Sequence, residues 1–295
     1  MLIESFLDYL RFERNYSDNT IECYGKDIAQ FRIFFQGEGG DEDLDFCLVT
    51  SEDVREWVVS LMDNGFAATS VNRKLSSLRS FSKYLLRKGV LEKDPLRKIV
   101  GPKKAKPLPV FLKESEMDKL LDETEFGEGF IGCRDKLIIQ MFYATGIRLA
   151  ELIGLNDNDV DLSSSLIKVT GKRNKQRLIP FGDELKELLF GYISMRNEEV
   201  AVLEPALFLQ KNGRRIGRAA VYQLVKQNLS KVVTHKKRSP HVLRHTFATT
   251  MLNNEAELGA VKELLGHSSL AATEVYAHTT FEELKKVYKQ AHPRS

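Results

Sequence analysis

A chain of 295 residues with 42% hydrophobic and 29% charged side chains is long enough for two cores and too apolar to be disordered. No apolar run approaches the roughly 18 residues of a membrane span. Three well-separated cysteines (Cys23, Cys47 and Cys133) with no Cys-x-x-Cys pair read as reduced, buried thiols of a cytosolic protein.

The first hundred residues predict four helices. Ile3, Phe6, Leu7 and Leu10 repeat at helical spacing, and acids interrupt the apolar part, so this is an amphipathic helix and not a signal peptide. Ser17–Thr20 is a capping cluster before Ile21, Tyr24, Ile28 and Phe31, and an acidic, glycine-rich loop follows at Gly37–Asp45. Thr50-Ser-Glu-Asp opens a third helix through Val54, Trp57 and Leu61. The fourth runs through Val71, Leu75, Leu78, Phe81 and Leu85, with Arg73, Lys74, Arg79 and Lys83 expected on its polar side.

Gly101–Pro109 holds three prolines and three lysines, which neither a helix nor a central strand accommodates, so a linker is expected over 101–111. Beyond it the chain is mixed. Arg134–Tyr143 reads as a buried helix that Gly146 ends, and Arg148 and Glu151 lie one turn apart at the start of the next. That spacing serves a surface ion pair as well as a carboxylate that steers a guanidinium. Ser165–Thr170 and Arg177–Pro180 read as a hairpin with Lys172 in its turn, and Leu207–Leu209 reads as a further short strand. Charge is uneven: residues 1–100 carry 14 Lys+Arg against 17 Asp+Glu, leaving 30 against 24 for the remainder. Four basic runs in that second part, at 103–106, 172–177, 214–218 and 236–238, favour a polyanionic partner.

Near the C-terminus, Ser239-Pro-His-Val-Leu-Arg-His-Thr-Phe-Ala248 places His241 and Arg244 three apart on a helix. Leu265-Gly266-His267 reads as a helix end with a left-handed cap, Ser268 or Ser269 as the next N-cap, and Tyr276 as lying about two turns further on. A basic pair, a histidine and then a tyrosine suit an oxyanion site with a phenol nucleophile. A last amphipathic helix carries Phe281, Leu284, Val287 and Tyr288.

His241-x-x-Arg244-His245-Thr-Phe-Ala248, Leu265-Gly-His267 and Tyr276 resemble the C-terminal box of the tyrosine recombinases, with closest similarity to the bacterial Xer enzymes. The resemblance implies a mainly α fold with a small β-sheet. A helical core-binding domain would span 1–100, and a catalytic domain 112–295 would end in a helix (281–295) exchanged with a neighbouring protomer. It implies Tyr276 as nucleophile, Arg148 and Arg244 as phosphate clamp, and Lys172 as acid for the 5′-oxygen. His241 would be the base, His267 a hydrogen-bond donor, and Glu151 the positioner of Arg148 and of His241, with His245 left structural. Neither cofactor nor metal is called for: there is no nucleotide-binding glycine motif, and acids do not cluster with the His and Arg set.

The implied partners are duplex DNA with a dif-like site and further protomers, four on two duplexes, including a paralogous Xer protein. A DNA-translocating motor is a further implied partner, and a membrane is not. Three other readings compete: a mobile-element integrase, a type IB topoisomerase-like enzyme, and a DNA-binding protein without catalysis. The last gives no reason for the six residues to occur together.

Overall fold

The computed structural model describes residues 2–37, 44–105, 110–171, 174–234, 237–266 and 281–295. These form two compact units, 1–107 and 108–295. The capping reading at 268–269 and most of the 37–45 loop lie outside the described residues, as do 106–109 of the expected linker.

In the first unit, α1 (Leu2–Asp8) runs into a π-helical turn at Tyr9–Glu13, followed by α2 (Asp18–Gln36), α3 (Ser51–Asp63) and α4 (Ala68–Arg87). The start of α3 is fixed reciprocally: the Asp53 amide donates to Thr50 Oγ1 (3.3 Å) and the Thr50 amide donates to Asp53 Oδ2 (2.7 Å). The apolar stripes meet in a core of Phe6, Ile28, Phe31, Trp57, Leu75, Leu78 and Phe81. The Trp57 ring lies edge-on to Phe31, with centroids 5.1 Å apart.

Lys74 corrects the sequence expectation. It is buried, not on the polar side, and its Nζ donates to Asp27 Oδ1 (3.1 Å) and Gln30 Oε1 (2.5 Å). Asp27, 1% exposed, also takes a two-pronged contact from Arg73 (2.5 and 2.8 Å) and the Ser77 hydroxyl (2.7 Å). The physical reason is spacing. Lys74 follows Val71 by three and precedes Leu78 by four, so it lies within the apolar stripe and must take its charge to a buried partner. Cys47 likewise departs from the buried thiols expected: it is exposed in the 3-10 turn Phe46–Leu48, which buries Phe46 instead, and its Sγ donates to the Val90 carbonyl (3.3 Å).

The second unit is organised around α6 (Gly129–Thr145), buried from Leu137 through Thr145 and packed against α8 (Asp183–Glu199) and α10 (Pro240–Asn253). Before it come α5 (Glu114–Asp118) and a π-helical turn at Lys119–Glu123; after it come α7 (Leu149–Gly154) and the sheet. Strands β1 (Val160–Asp161), β2 (Leu166–Thr170) and β3 (Gln176–Pro180) are antiparallel in that order, with Ile167 opposite Ile179 and Val169 opposite Arg177. The remaining helices are α9 (Arg218–Val232), α11 (Leu258–Leu265) and α12 (Phe281–Ala291).

The strand expected at Leu207–Leu209 is only a pair of isolated bridges, Asn156 with Ala206 and Leu209 with Arg215. Its polar groups go elsewhere: the Leu207 amide donates to Leu155 O, and Leu207 O accepts from Tyr192 Oη and Arg196. No described helix is long and apolar enough to cross a membrane.

Helix α12 rests on α10, α11 and β3 of its own unit, burying Leu284, Tyr288 and Ala291. Asn254 Nδ2 donates to Ala291 O (2.8 Å), and Arg294 spans Asp118, Asp122 and Glu184. His292 is buried among Tyr143, Phe247 and Tyr288.

Its Nδ1 accepts from the Arg294 amide (3.2 Å), so Nε2 carries the proton toward Tyr143 O (3.1 Å). Burial, with Arg294 adding to it, pushes this imidazole down to about 4 despite the Tyr143 carbonyl. A folded-state pKa below the unfolded value of about 6.5 means that the unfolded tail takes up a proton the docked tail refuses. Docking therefore weakens as pH falls from about 6.5 to about 4, by up to about 3 kcal/mol. Hydrogen exchange of the α12 amides, corrected for intrinsic rates, should be faster at pH 5 than at pH 7.5, and His292→Phe should flatten the difference.

Candidate active site

Three arginines from three elements converge on the C-terminal end of α11. The last carbonyls of a helix have no partner within it, and they sit at the negative end of its dipole. Here three consecutive ones each receive a guanidinium. Arg177 Nε donates to Leu264 O, an Arg244 terminal nitrogen to Leu265 O, and an Arg148 terminal nitrogen to Gly266 O, each at 2.8 Å. Gly266 makes the fan possible by taking a left-handed conformation (φ 63°) that ends the helix one residue before His267.

The opposite wall is the turn between α6 and α7. Gly146 caps α6 at φ 57°, and its carbonyl accepts from Arg244. A Cβ there would come within 2.5 Å of Phe247 and 2.8 Å of Leu265, so the close approach of α10 and α11 needs glycine. Arg148 is the N-cap of α7, and Glu151 is its third residue, whose carboxylate accepts the Arg148 amide (2.9 Å). Local helix-start chemistry thus places one carboxylate oxygen without any long-range partner. Glu151 then accepts from the Arg148 guanidinium (2.8 Å) and, on both oxygens, from the Arg177 fork (2.9 Å each).

Burial alone would raise the Glu151 carboxyl. The Arg177 and Arg148 donors outweigh it and hold the group at about 2. Arg244 is pushed down to about 10 by burial and by the neighbouring Arg148 and Arg177, and so stays cationic at neutral pH. Among the described residues, three guanidiniums against one carboxylate leave an excess of two positive charges, 3 − 1 = +2, in a partly enclosed corner. Such a corner is ready for an anion.

Residues 110–283 match the Phage integrase family, and residues 3–89 match Phage integrase, N-terminal SAM-like domain. The chain belongs to the phage integrase family, the tyrosine recombinases. It is 37% identical, over 98% of its length, to 94% of the tyrosine recombinase XerC of Chlorobaculum tepidum. It is 36% identical over 100% of its length to 99% of the tyrosine recombinase XerD of Staphylococcus haemolyticus. Its fold is shared with the XerH site-specific recombinase bound to a palindromic difH substrate in a post-cleavage complex (TM-score 0.72, 21% identity, 97% of this chain and 93% of that one). The protein is a Xer-type site-specific recombinase.

Of the residues singled out in this recombinase by sequence, the structure brings Arg148, Glu151 and Arg244 together. Lys172, His267 and Tyr276 lie outside the described residues, although Gly171 and Gly266, which precede the first two, border the arginine cluster. His241 is exposed in the first turn of α10. It lines a groove of about 500 Å³ with Tyr222, Lys226, Arg238 and His245, so the histidine left as structural shares its groove. No hydrogen bond joins His241 to Glu151 among the described residues. Arg177 was missed. It closes the basic run at 172–177 and opens the expected return strand, where alternation puts it on the same face as buried Ile179, opposite buried Val169. A charge on the inward face of a strand is the signal that a buried counter-charge awaits it.

Proposed function

We propose that Arg148 and Arg244 hold the scissile phosphate of DNA while the Tyr276 phenolate attacks phosphorus. The tyrosine oxygen–phosphorus bond forms, the bond to the 5′-oxygen breaks, and a 3′-phosphotyrosyl link results. His241 accepts the phenol proton and Lys172 delivers one to the 5′-oxygen. His267 donates to a non-bridging oxygen, and Glu151 positions Arg148. The phosphodiester energy is kept in the covalent link, so the 5′-hydroxyl of a partner strand can reseal it without ATP.

The observation that carries this reading is the convergence of Arg148 and Arg244 on the fan of carbonyls directly before His267. Two guanidiniums held by backbone oxygens and one carboxylate are preorganised for charge that grows on phosphate oxygens.

The target we propose is a dif-like site on duplex DNA, contacted by both units. In the first unit a cleft of about 400 Å³ lined by Arg14, Arg79, Lys83 and Arg87 offers cations to the phosphate backbone. Identity of 36–37% to Xer relatives across nearly the whole chain supports the chromosomal role of a cytoplasmic enzyme over that of a mobile element. One such site cuts one strand, so a complete exchange calls for four protomers, with α12 passing between them and a paralogous Xer protein or a DNA-translocating motor as activator.

The test is covalent trapping on nicked duplexes bearing candidate sites, analysed on a denaturing gel. Wild type should form a protein–DNA adduct and Tyr276→Phe none at all, with both binding the duplex alike. An adduct that survives in Tyr276→Phe would remove Tyr276 from the role.

A further inference from the structure

Arg177 touches no position assigned to substrate, yet all three of its guanidinium nitrogens are engaged within the cluster. Its two terminal nitrogens hold both oxygens of Glu151, and its Nε holds Leu264 O, so one side chain ties β3 to the start of α7 and the end of α11. Among the described residues, the groups around the Glu151 carboxylate are Arg148 from α7, Arg177 from β3 and the Gly171 backbone, with Arg244 of α10 close enough to be felt. The carboxylate is 5% exposed, so solvent does little to screen it.

Charge arithmetic then assigns Arg177 a task. With it, the cluster holds three guanidiniums and one carboxylate, an excess of +2. Without it, Glu151 has Arg148 as its only side-chain partner among the described residues, their excess falls to +1, and the carboxylate competes with phosphate for Arg148.

We propose that Arg177 is a positioning residue of the recombinase, which neutralises Glu151 so that Arg148 keeps its full charge and its remaining donors for the scissile phosphate. This rests on the assignment of Arg148 proposed above. An acceptor oxygen at position 151 fixes the start of α7 and the aim of Arg148, and Arg177 cancels the electrostatic cost of that acceptor being a carboxylate.

The test is single-turnover adduct formation on the nicked duplex, with duplex binding and thermal melting followed in parallel. Arg177→Gln should slow adduct formation by up to about 100-fold, the cost of a small misplacement of a positioned group, with binding little changed. Arg177→Gln combined with Glu151→Gln restores the +2 excess and should recover most of that loss. Acid should do the same: the deficit of Arg177→Gln relative to wild type should shrink as pH falls and Glu151 takes up a proton, whereas the double variant should keep a constant ratio. Arg177→Lys, with charge but no fork, should fall between wild type and Arg177→Gln. Should Arg177→Gln melt below the assay temperature, Arg177→Met keeps more of the stem packing and is read in the same way.

A brace that only joined β3 to α11 would leave the double variant as slow as the single one, with a flat pH ratio and Arg177→Lys no better than Arg177→Gln. Any of those results, or full activity in Arg177→Gln, overturns the proposal. The Tyr276→Phe control reports on the catalytic assignment separately. If wild type forms no adduct, the assignment fails; if it does, the Arg177 series is decisive by itself.

Discussion

Arg148→Gln and Arg244→Gln should each lose about 100- to 1,000-fold in the rate of adduct formation while the protein still binds duplex DNA, because each removes a preorganised cation from the developing charge. Lysine should rescue neither. Arg148 reaches Glu151 and Gly266 O with separate nitrogens, and Arg244 reaches Gly146 O and Leu265 O. An ammonium is a single point that cannot bridge two acceptors and still face the phosphate. The double Gln variant should lose much less than the product of the single losses, since two residues serving one phosphate act as a unit. The rates come from a single-turnover gel assay at saturating protein, with mobility shifts for binding. Near-wild-type cleavage by Arg244→Lys would mean that charge alone matters there and that the two backbone carbonyls are incidental.

Much of this site could be read along the chain because its local parts are local. Gly146 ending one helix, Glu151 at the third position of the next, and Gly266 ending α11 follow from capping rules that need only neighbours in sequence. The assembly of those parts could not be read. The three carbonyls of 264–266 find donors 87, 21 and 118 residues away, and no periodicity encodes such a meeting. Arg177 shows the boundary: strand alternation could have placed it inward, but not against Glu151, 26 residues earlier on another element. Lys74 shows a rule applied to the wrong residue. Its position in the apolar stripe was visible, but its charge suggested the surface. Asp27 lies in the matching stripe of α2, three after Tyr24 and four before Phe31.

That buried set gives the largest expected effect on stability. Asp27→Ala should destabilise the first unit by about 3–5 kcal/mol, the usual cost of removing one partner from a buried ion pair. The loss is large because of what stays behind: the Lys74 ammonium, side chain 10% exposed, would keep only Gln30 as a hydrogen-bond acceptor, and the Ser77 hydroxyl would lose its carboxylate. The nearby Phe66 ring, 5.4 Å from Nζ, is a weak substitute for a carboxylate. Arg73, about half exposed, can turn to solvent and adds less to the loss. The chain has a single tryptophan, Trp57, buried in this core, so its fluorescence in urea reports unfolding of this unit. The midpoint should fall sharply in Asp27→Ala. Asp27→Leu with Lys74→Met, which removes both charges and keeps the volume apolar, should recover most of it. If that pair is no more stable than Asp27→Ala, the charges bring specific order to the contact of α2 with α4 that apolar packing cannot replace.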